Sequence, residues 1–345
     1  MRLIAHIILA MLIALPHITF SQSRILHYTE TSGYDHQTRA VSYDMFVRLG
    51  NDLGFTVVND STGLEFNDFQ NLMLYDVIVF SNTSGDQILD AAQRLNFESY
   101  IQQGGNFIGI HSASDTYRHS SANGSNTGAW DWYAEMIGAS VRQNPNHVSG
   151  TPFYNIHHVV SHPILNGIPD PWFKAEEYYY WEGGYYDSSN IVLLKVEQTL
   201  GPNMQVNSYD SSRAVCWYRL IPGAGRVFYT SLGHSTLNFT SDSLFYLLIK
   251  NALLWAGATN GIAEHNEFNK PILFPNPCKD YFQLYNVLSA GVSCIQIFDL
   301  KGREMMKVYR AGNMNRVGVH DLHPGAYILM LEEDDRKSYF RFMKK

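Results

Sequence analysis

The sequence predicts an α/β domain with a mostly parallel sheet and helices on both faces, followed by a small C-terminal antiparallel β-sandwich. Three observations predict it. Short apolar runs alternate with stretches that repeat apolar residues every three or four positions over the first 110 residues. Those runs are apolar at successive positions, as in strands buried on both faces of a parallel sheet. From Pro271 onward the pattern changes to short, turn-separated strands.

Each element follows in order. "RILHY" (24–28) reads as a buried strand and "TETSGYDHQ" as the loop that leaves it. Val41, Met45 and Leu49 recur every four residues, which predicts a helix over 37–53, with Gly54 as its C-terminal stop. "FTVVND" and "YDVIVFSNT" are the next strands, and Asp86 is placed to cap the helix that carries Ile88, Ala92 and Leu95. Gly104-Gly105 stop that helix and "NFIGI" (106–110) is the fourth strand. Residues 117–190 are less regular and rich in Tyr, Trp, His and Gly. Further strands are expected at "NIVLLKVE", "RAVCWYRL" and "GRVFYTSLG", and a closing helix over 241–255. In the tail, "DYFQLYN", "VSCIQIFDL", "REMMKVY", "GAYILMLE" and "KSYFRFMKK" read as strands separated by "KGRE" and "DLHPG" turns.

The ends of the chain carry targeting signals. Arg2, the apolar run 3–15, Pro16 and the polar "TFSQS" form a secretory signal peptide over residues 1–22; the run is too short to span a membrane, and no later segment is apolar enough. Net charge is −7 and uneven: residues 23–260 hold 12 Lys and Arg against 22 Asp and Glu, and residues 261–345 hold 12 against 10. An acidic main domain without a basic stripe excludes a nucleic-acid binder. Three cysteines, Cys216, Cys278 and Cys294, make no disulfide framework, although export permits a Cys278–Cys294 pair. Residues 258–270 read as a polar linker.

Two resemblances cover nearly the whole mature chain. "SGYDH" (32–36), "VIVFSNTSGD" (77–86), "FESYIQQGGNFIGIHSASDT" (97–116), "WDWYAEMIGA" (130–139), "SHPILNGIP" (161–169), "EEYYYW" (176–181), "AVCWYR" (214–219) and "GRVFYTSLGH" (225–234) resemble, in order, the ThuA-like (trehalose utilisation) family over residues 24–257. That likeness implies a flavodoxin-like fold of the class I glutamine-amidotransferase type, and a role in using trehalose or keto sugars. "FPNP" (274–277), "IQIFDLKGRE" (295–304), "GAYIL" (325–329) and the basic end "FMKK" make residues 271–345 similar to a type IX secretion C-terminal sorting domain of the Bacteroidota kind. The implied partner is the type IX machinery, and the implied destination is the cell surface or the medium. The chain departs from the ThuA pattern at Asn144-Pro145, where His-Pro is common, and at Ser212-Arg213-Ala214, where Asp-His-Pro is common. His147 is a candidate replacement for the first of these histidines.

The fold directs attention to the strand ends, beyond which ligands bind in open parallel sheets. Amidotransferases of this type place a cysteine at the sharp exit from the "GG…G" strand. Here "GIHSA" places His111 there, which excludes cysteine-dependent amidotransfer. His111 can act as acid, base or metal ligand, or pack in a polar crevice. Asp115, four residues on, either orients that imidazole or caps a helix. His36 and His234 end two other strand loops, so the three histidines can share one crevice. His162, fixed by Pro163, is either a site residue or a turn residue. Glu176 and Glu177 form a carboxylate pair suited to acid/base work, of which one alone can face the site because successive strand residues point to opposite sides; the family match favours Glu177. Trp130, Trp132, Tyr179 and Trp181 are candidates for stacking on a sugar or for the core. His157 and His158 alternate along a strand and read as structural. A divalent metal on these histidines and carboxylates is open, since no H-E-x-x-H or other tight spacing is present.

The expected function is thus a secreted carbohydrate-active protein, with His111, Glu177, His234 and Asp115 as acid/base groups and His36, His162, Glu176, Trp130 and Tyr179 around the sugar. The alternative is a non-catalytic sugar-binding or surface interaction protein.

Overall fold

A computed structural model describes residues 23–122, 127–221, 225–257, 272–274, 277–285, 292–309, 316–333 and 336–345. The expected signal peptide and the 258–270 linker lie outside the described residues.

The main domain contains, in order, β1 (Arg24–Tyr28), α1 (Arg39–Leu53), β2 (Thr56–Asp60), α2 (Phe69–Leu72), β3 (Val77–Ser81), α3 (Ala91–Gln102), β4 (Asn106–Ile110), α4 (Asp131–Ile137), β5 (Ala139–Val141), β6 (Phe153–His158), β7 (Trp172–Ala175), β8 (Trp181–Tyr186), β9 (Ile191–Val196), β10 (Arg213–Leu220), β11 (Arg226–Thr230), α5 (Thr236–Thr240) and α6 (Ser243–Ala256). One nine-stranded sheet runs β2-β1-β3-β4-β11-β10-β9-β6-β7. Its first five strands pair in parallel, in the flavodoxin-like order. The other four extend the sheet as antiparallel neighbours. β5 and β8 form a separate ribbon.

Alternation along the strands divides the core in two. Ile25, Val77, Val79, Ile108 and Ile110 face one side, with Met45, Phe46 and Leu49 of α1 and most of the buried face of α6. Leu26, Ile78, Phe80 and Phe107 face the other, with Phe97, Tyr100 and Ile101 of α3 and Tyr133, Met136 and Ile137 of α4. The continuous apolar runs are therefore strands covered on both faces.

Two helix starts differ from the sequence reading. Gln37 has a left-handed φ of 55°, which a helix cannot include, and α1 begins at Arg39. Asp90, not Asp86, caps α3: its carboxylate accepts from the N–H groups of Ala92 and Gln93, and the Gln93 side chain accepts from the Asp90 N–H. Ile88 thus precedes the helix as a buried anchor of the loop.

The tail comprises β12 (Ile272–Phe274), β13 (Tyr281–Tyr285), β14 (Val292–Asp299), β15 (Glu304–Tyr309), β16 (Arg316–Gly318), β17 (Gly325–Glu333) and β18 (Arg336–Lys344). They make two antiparallel sheets, β12-β13-β16 and β15-β14-β17-β18. Phe282 and Leu284 of the first meet Ile295, Ile297, Leu329, Leu331 and Phe342 of the second in one core. Cys278 and Cys294 are separate buried thiols, as is Cys216, so the pair considered above does not form. Among the described residues no helix is long and apolar enough to cross a membrane.

His27 gives the main domain a pH dependence. It is fully buried in β1; Nδ1 lies 2.8 Å from Asn59 Oδ1 and Nε2 lies 2.8 Å from Ser42 Oγ, which suits one donated and one accepted bond. Burial holds it at about 4, against 6.5 when solvated. Between those values the unfolded chain binds the extra proton, so stability is complete above pH 6.5 and falls as pH drops toward 4. The loss is on the order of 3 kcal/mol at 1.36 kcal/mol per pH unit. Urea midpoints at pH 7 and pH 4.5 should show it, and His27→Gln should flatten the difference; equal slopes in both proteins would refute the assignment.

Candidate active site

β1, β4 and β11 are parallel, so their carboxyl ends open on one edge of the sheet. The loop after β1 brings in His36, the residue after β4 is His111, and the turn after β11 brings in His234. Glu177 arrives from the connection between β7 and β8.

His111 is fully buried and has a left-handed φ of 50°. Such a conformation is uncommon for a residue with a side chain, and its surroundings hold it. The Tyr229 hydroxyl donates to the His111 carbonyl at 2.8 Å, and Tyr133 donates to Ala113 O at 2.8 Å. His111 Nδ1 lies 2.7 Å from the Ser231 carbonyl, at the end of neighbouring β11. A carbonyl only accepts, so Nδ1 carries the proton. The Tyr179 ring stacks on the imidazole at 4.5 Å, and its hydroxyl is 3.0 Å from Nε2.

Glu177 sits at the centre. Its Oε2 is 3.2 Å from His111 Nε2, 3.2 Å from His234 Nδ1 and 3.9 Å from His36 Nε2. Its Oε1 is 3.3 Å from His147 Nε2. His36 Nε2 and His111 Nε2 are 3.1 Å apart. Burial by itself would push Glu177 up, but the close imidazoles of His111, His234 and His36 outweigh it and hold the carboxyl well below its usual range. Burial lowers His36 to about 4. The Glu177 carboxylate 3.2 Å away raises His234. His36, His111, Glu177 and His234 each offer one ligand atom, all within 4.8 Å of one another, so this set can hold a metal ion.

The other expected site residues lie elsewhere or act indirectly. Glu176 faces away from the cluster, as alternation requires. Its buried carboxylate accepts from Gly233 N at 2.9 Å, His234 N at 3.1 Å and Asn238 Nδ2 at 3.2 Å, with Lys174 Nζ 3.6 Å away. It therefore holds the turn that carries His234. Asp115 does not orient the His111 imidazole, because Ser231 takes Nδ1; it pairs instead with Arg118 at 3.3 Å. Desolvation pushes Asp115 up to about 6, with Arg118 opposing, although part of the side chain reaches solvent. Trp130 packs into the aromatic core against Phe97, Tyr117 and Tyr133, and its indole donates to Glu98. His162 stacks near Tyr218 and Trp255 and accepts from Ile164 N, apart from the cluster.

Three further residues contribute, and His147 is the replacement histidine considered above. His147 reaches Glu177 through a bridge pairing it with Tyr179. Tyr34, 68% exposed, stands edge-on to His36 at 4.8 Å, inside the "SGYDH" segment. Arg213 donates from Nε to Tyr179 O at 2.6 Å and lies over the Tyr180 ring at 4.4 Å. It secures the segment that follows Glu177.

Removal of Glu176 should expose the cost of this scaffold. Glu176→Ala leaves three buried donors without their acceptor, while Lys174 keeps Asp242 at 2.6 Å, and should destabilise the domain by about 3–5 kcal/mol in urea unfolding. A loss under about 1 kcal/mol would contradict the anchoring role.

Comparison with known proteins agrees with this architecture. Residues 24–256 match the family model described as trehalose utilisation (ThuA). Residues 272–345 match the secretion system C-terminal sorting domain. The fold is similar to that of a ThuA-like protein from Bacteroides uniformis, at TM-score 0.54 and 20% identity, over 70% of this chain and 94% of that one. It is also similar to a ThuA-like protein from Parabacteroides merdae, at TM-score 0.51 and 15% identity, over 69% of this chain and 91% of that one. No curated protein matches the chain. The sorting domain directs type IX secretion to the cell surface or extracellular space, and the chain that carries it belongs to the ThuA (trehalose utilisation) family.

Proposed function

We propose that this protein acts on a carbohydrate outside the cell, by proton transfer between a sugar and the imidazole–carboxylate cluster. The observation that carries the reading is the gathering of His36, His111 and His234 around Glu177. An ionised carboxylate among imidazoles suits proton movement at a sugar hydroxyl or at the carbon beside a keto group. The exposed Tyr34 ring beside His36 offers an aromatic face for the apolar side of a sugar. Carbohydrate use is also what the family description names. A cysteine mechanism is not part of the reading, since His111 occupies the strand exit and the three thiols are buried elsewhere.

Trehalose, other disaccharides and their keto derivatives are the substrates to assay. His111→Ala should lower turnover by about 10²-fold or more while affinity is largely kept. Tyr34→Ala should weaken binding by roughly 3–10-fold. Saturable sugar binding without turnover would favour the non-catalytic module, and no sugar binding at all would end the carbohydrate reading. Deletion of residues 272–345 should leave the protein in the periplasm of its host; appearance of the truncated chain in the medium would contradict the sorting role.

A further inference from the structure

We infer that the crevice is a mononuclear site for a first-row divalent cation of the zinc class, held by His36, His111, His234 and Glu177. The inference deepens the carbohydrate reading and rests on this crevice being its working site.

Spacing is the first ground. A tetrahedral ion with bonds of about 2.0–2.1 Å separates its ligand atoms by about 3.3 Å. Four of the six edges are 3.1 Å between His36 and His111, 3.2 Å from Glu177 to His111 and to His234, and 3.9 Å from Glu177 to His36, and all six lie within 4.8 Å.

Proton placement is the second. His111 Nδ1 gives its proton to the Ser231 carbonyl, so the neutral ring presents a lone pair at Nε2. That lone pair faces the Tyr179 hydroxyl, a donor, at 3.0 Å, and also a carboxylate oxygen at 3.2 Å, acceptor against acceptor. A positive charge between them reconciles the contact: a second proton on a fully buried ring, or a metal ion. His234 Nδ1 decides for the ion. It is buried and equally close to Glu177 Oε2, yet makes no aligned hydrogen bond. One proton serves one line between two atoms, whereas an ion collects donors from several directions. His36 Nδ1, 3.4 Å from the Ser112 hydroxyl, keeps Nε2 turned inward.

The donor set fits the assignment. Three imidazoles and one carboxylate suit zinc and its first-row neighbours better than magnesium or calcium. The carbonyl on His111 and the hydroxyl near His36 supply the outer hydrogen bonds that orient metal-bound histidines. His147, at Glu177 Oε1, does the same for the carboxylate. His111 is sealed, and His234 keeps 26% of its side-chain surface, so the site is approached from the His234 side. With four protein ligands, polarising a sugar oxygen takes a fifth coordination position on that side.

The test uses the full chain, stripped with a chelator and titrated with Zn²⁺ by calorimetry, with Co²⁺ absorption as a second readout. Wild type should bind one equivalent and melt higher in Zn²⁺. His234→Ala and Glu177→Gln should bind at least 100-fold more weakly, while His157→Ala, an exposed histidine elsewhere, should match wild type. Circular dichroism checks that each variant is folded, and if Glu177→Gln is not, the partly exposed His234→Ala decides. Substoichiometric uptake by wild type, or unchanged affinity in folded His234→Ala, would overturn the site. Metal uptake is read without sugar and sugar binding is read on the stripped protein, so either claim can fail alone.

Discussion

The crevice depends on one backbone turn, the left-handed residue that ends β4. A φ of 50° at His111 reverses the chain at the edge of the sheet and aims the imidazole across β11. A conformation of this kind costs of order 1–3 kcal/mol and persists only where neighbours over-determine it. The neighbours here are buried tyrosines. Tyr229 and Tyr133 donate to carbonyls of the turn, and Ser231 fixes the ring. Gly233 completes the enclosure at a φ of 122°, where a Cβ would come within 2.8 Å of Ile110 Cγ2.

The second element is a pair of adjacent carboxylates with opposite duties. Glu177 turns toward three imidazoles. Glu176 turns toward backbone N–H groups and Lys174, and so fixes the loop that delivers His234. One residue sets the charge of the site, and the one before it sets the position of a partner. Arg213 extends the scaffold by holding the carbonyls of Tyr178 and Tyr179. A cation thus supports the segment that bears Glu177 and Tyr179.

The candidate site was partly legible before folding. His36, His111 and His234 follow strands whose ends must lie together in a parallel sheet, so their convergence follows from strand order. Alternation in an extended chain let only one of Glu176 and Glu177 face the site, and the family resemblance chose Glu177. Trp130 and His162 misled because an aromatic residue or a histidine in a family segment carries no sign of which face it takes. Trp130 entered the aromatic layer against Phe97 and Tyr117, and His162 packed by Tyr218 and Trp255. Asp115 looked like a partner for His111 by spacing, but a backbone carbonyl from another strand reached the ring first.

Local information determined most of the architecture: doubly buried strands from unbroken apolar runs, helices from four-residue spacing, and the strand exit at His111 from "GGNFIGIH". The tail sandwich was equally readable, because short alternating strands and turn residues act within a few positions. Tertiary structure alone decided which groups meet. His147 and Glu177 lie 30 positions apart in sequence, and Ser231 and His111 lie 120 apart. Their contacts arise from parallel pairing of β4 with β11 and from an irregular segment laid across the sheet edge, and no local spacing encodes either. Charge, tautomer and ligand geometry depend on those long-range contacts, so the chemistry of the crevice was set by the fold.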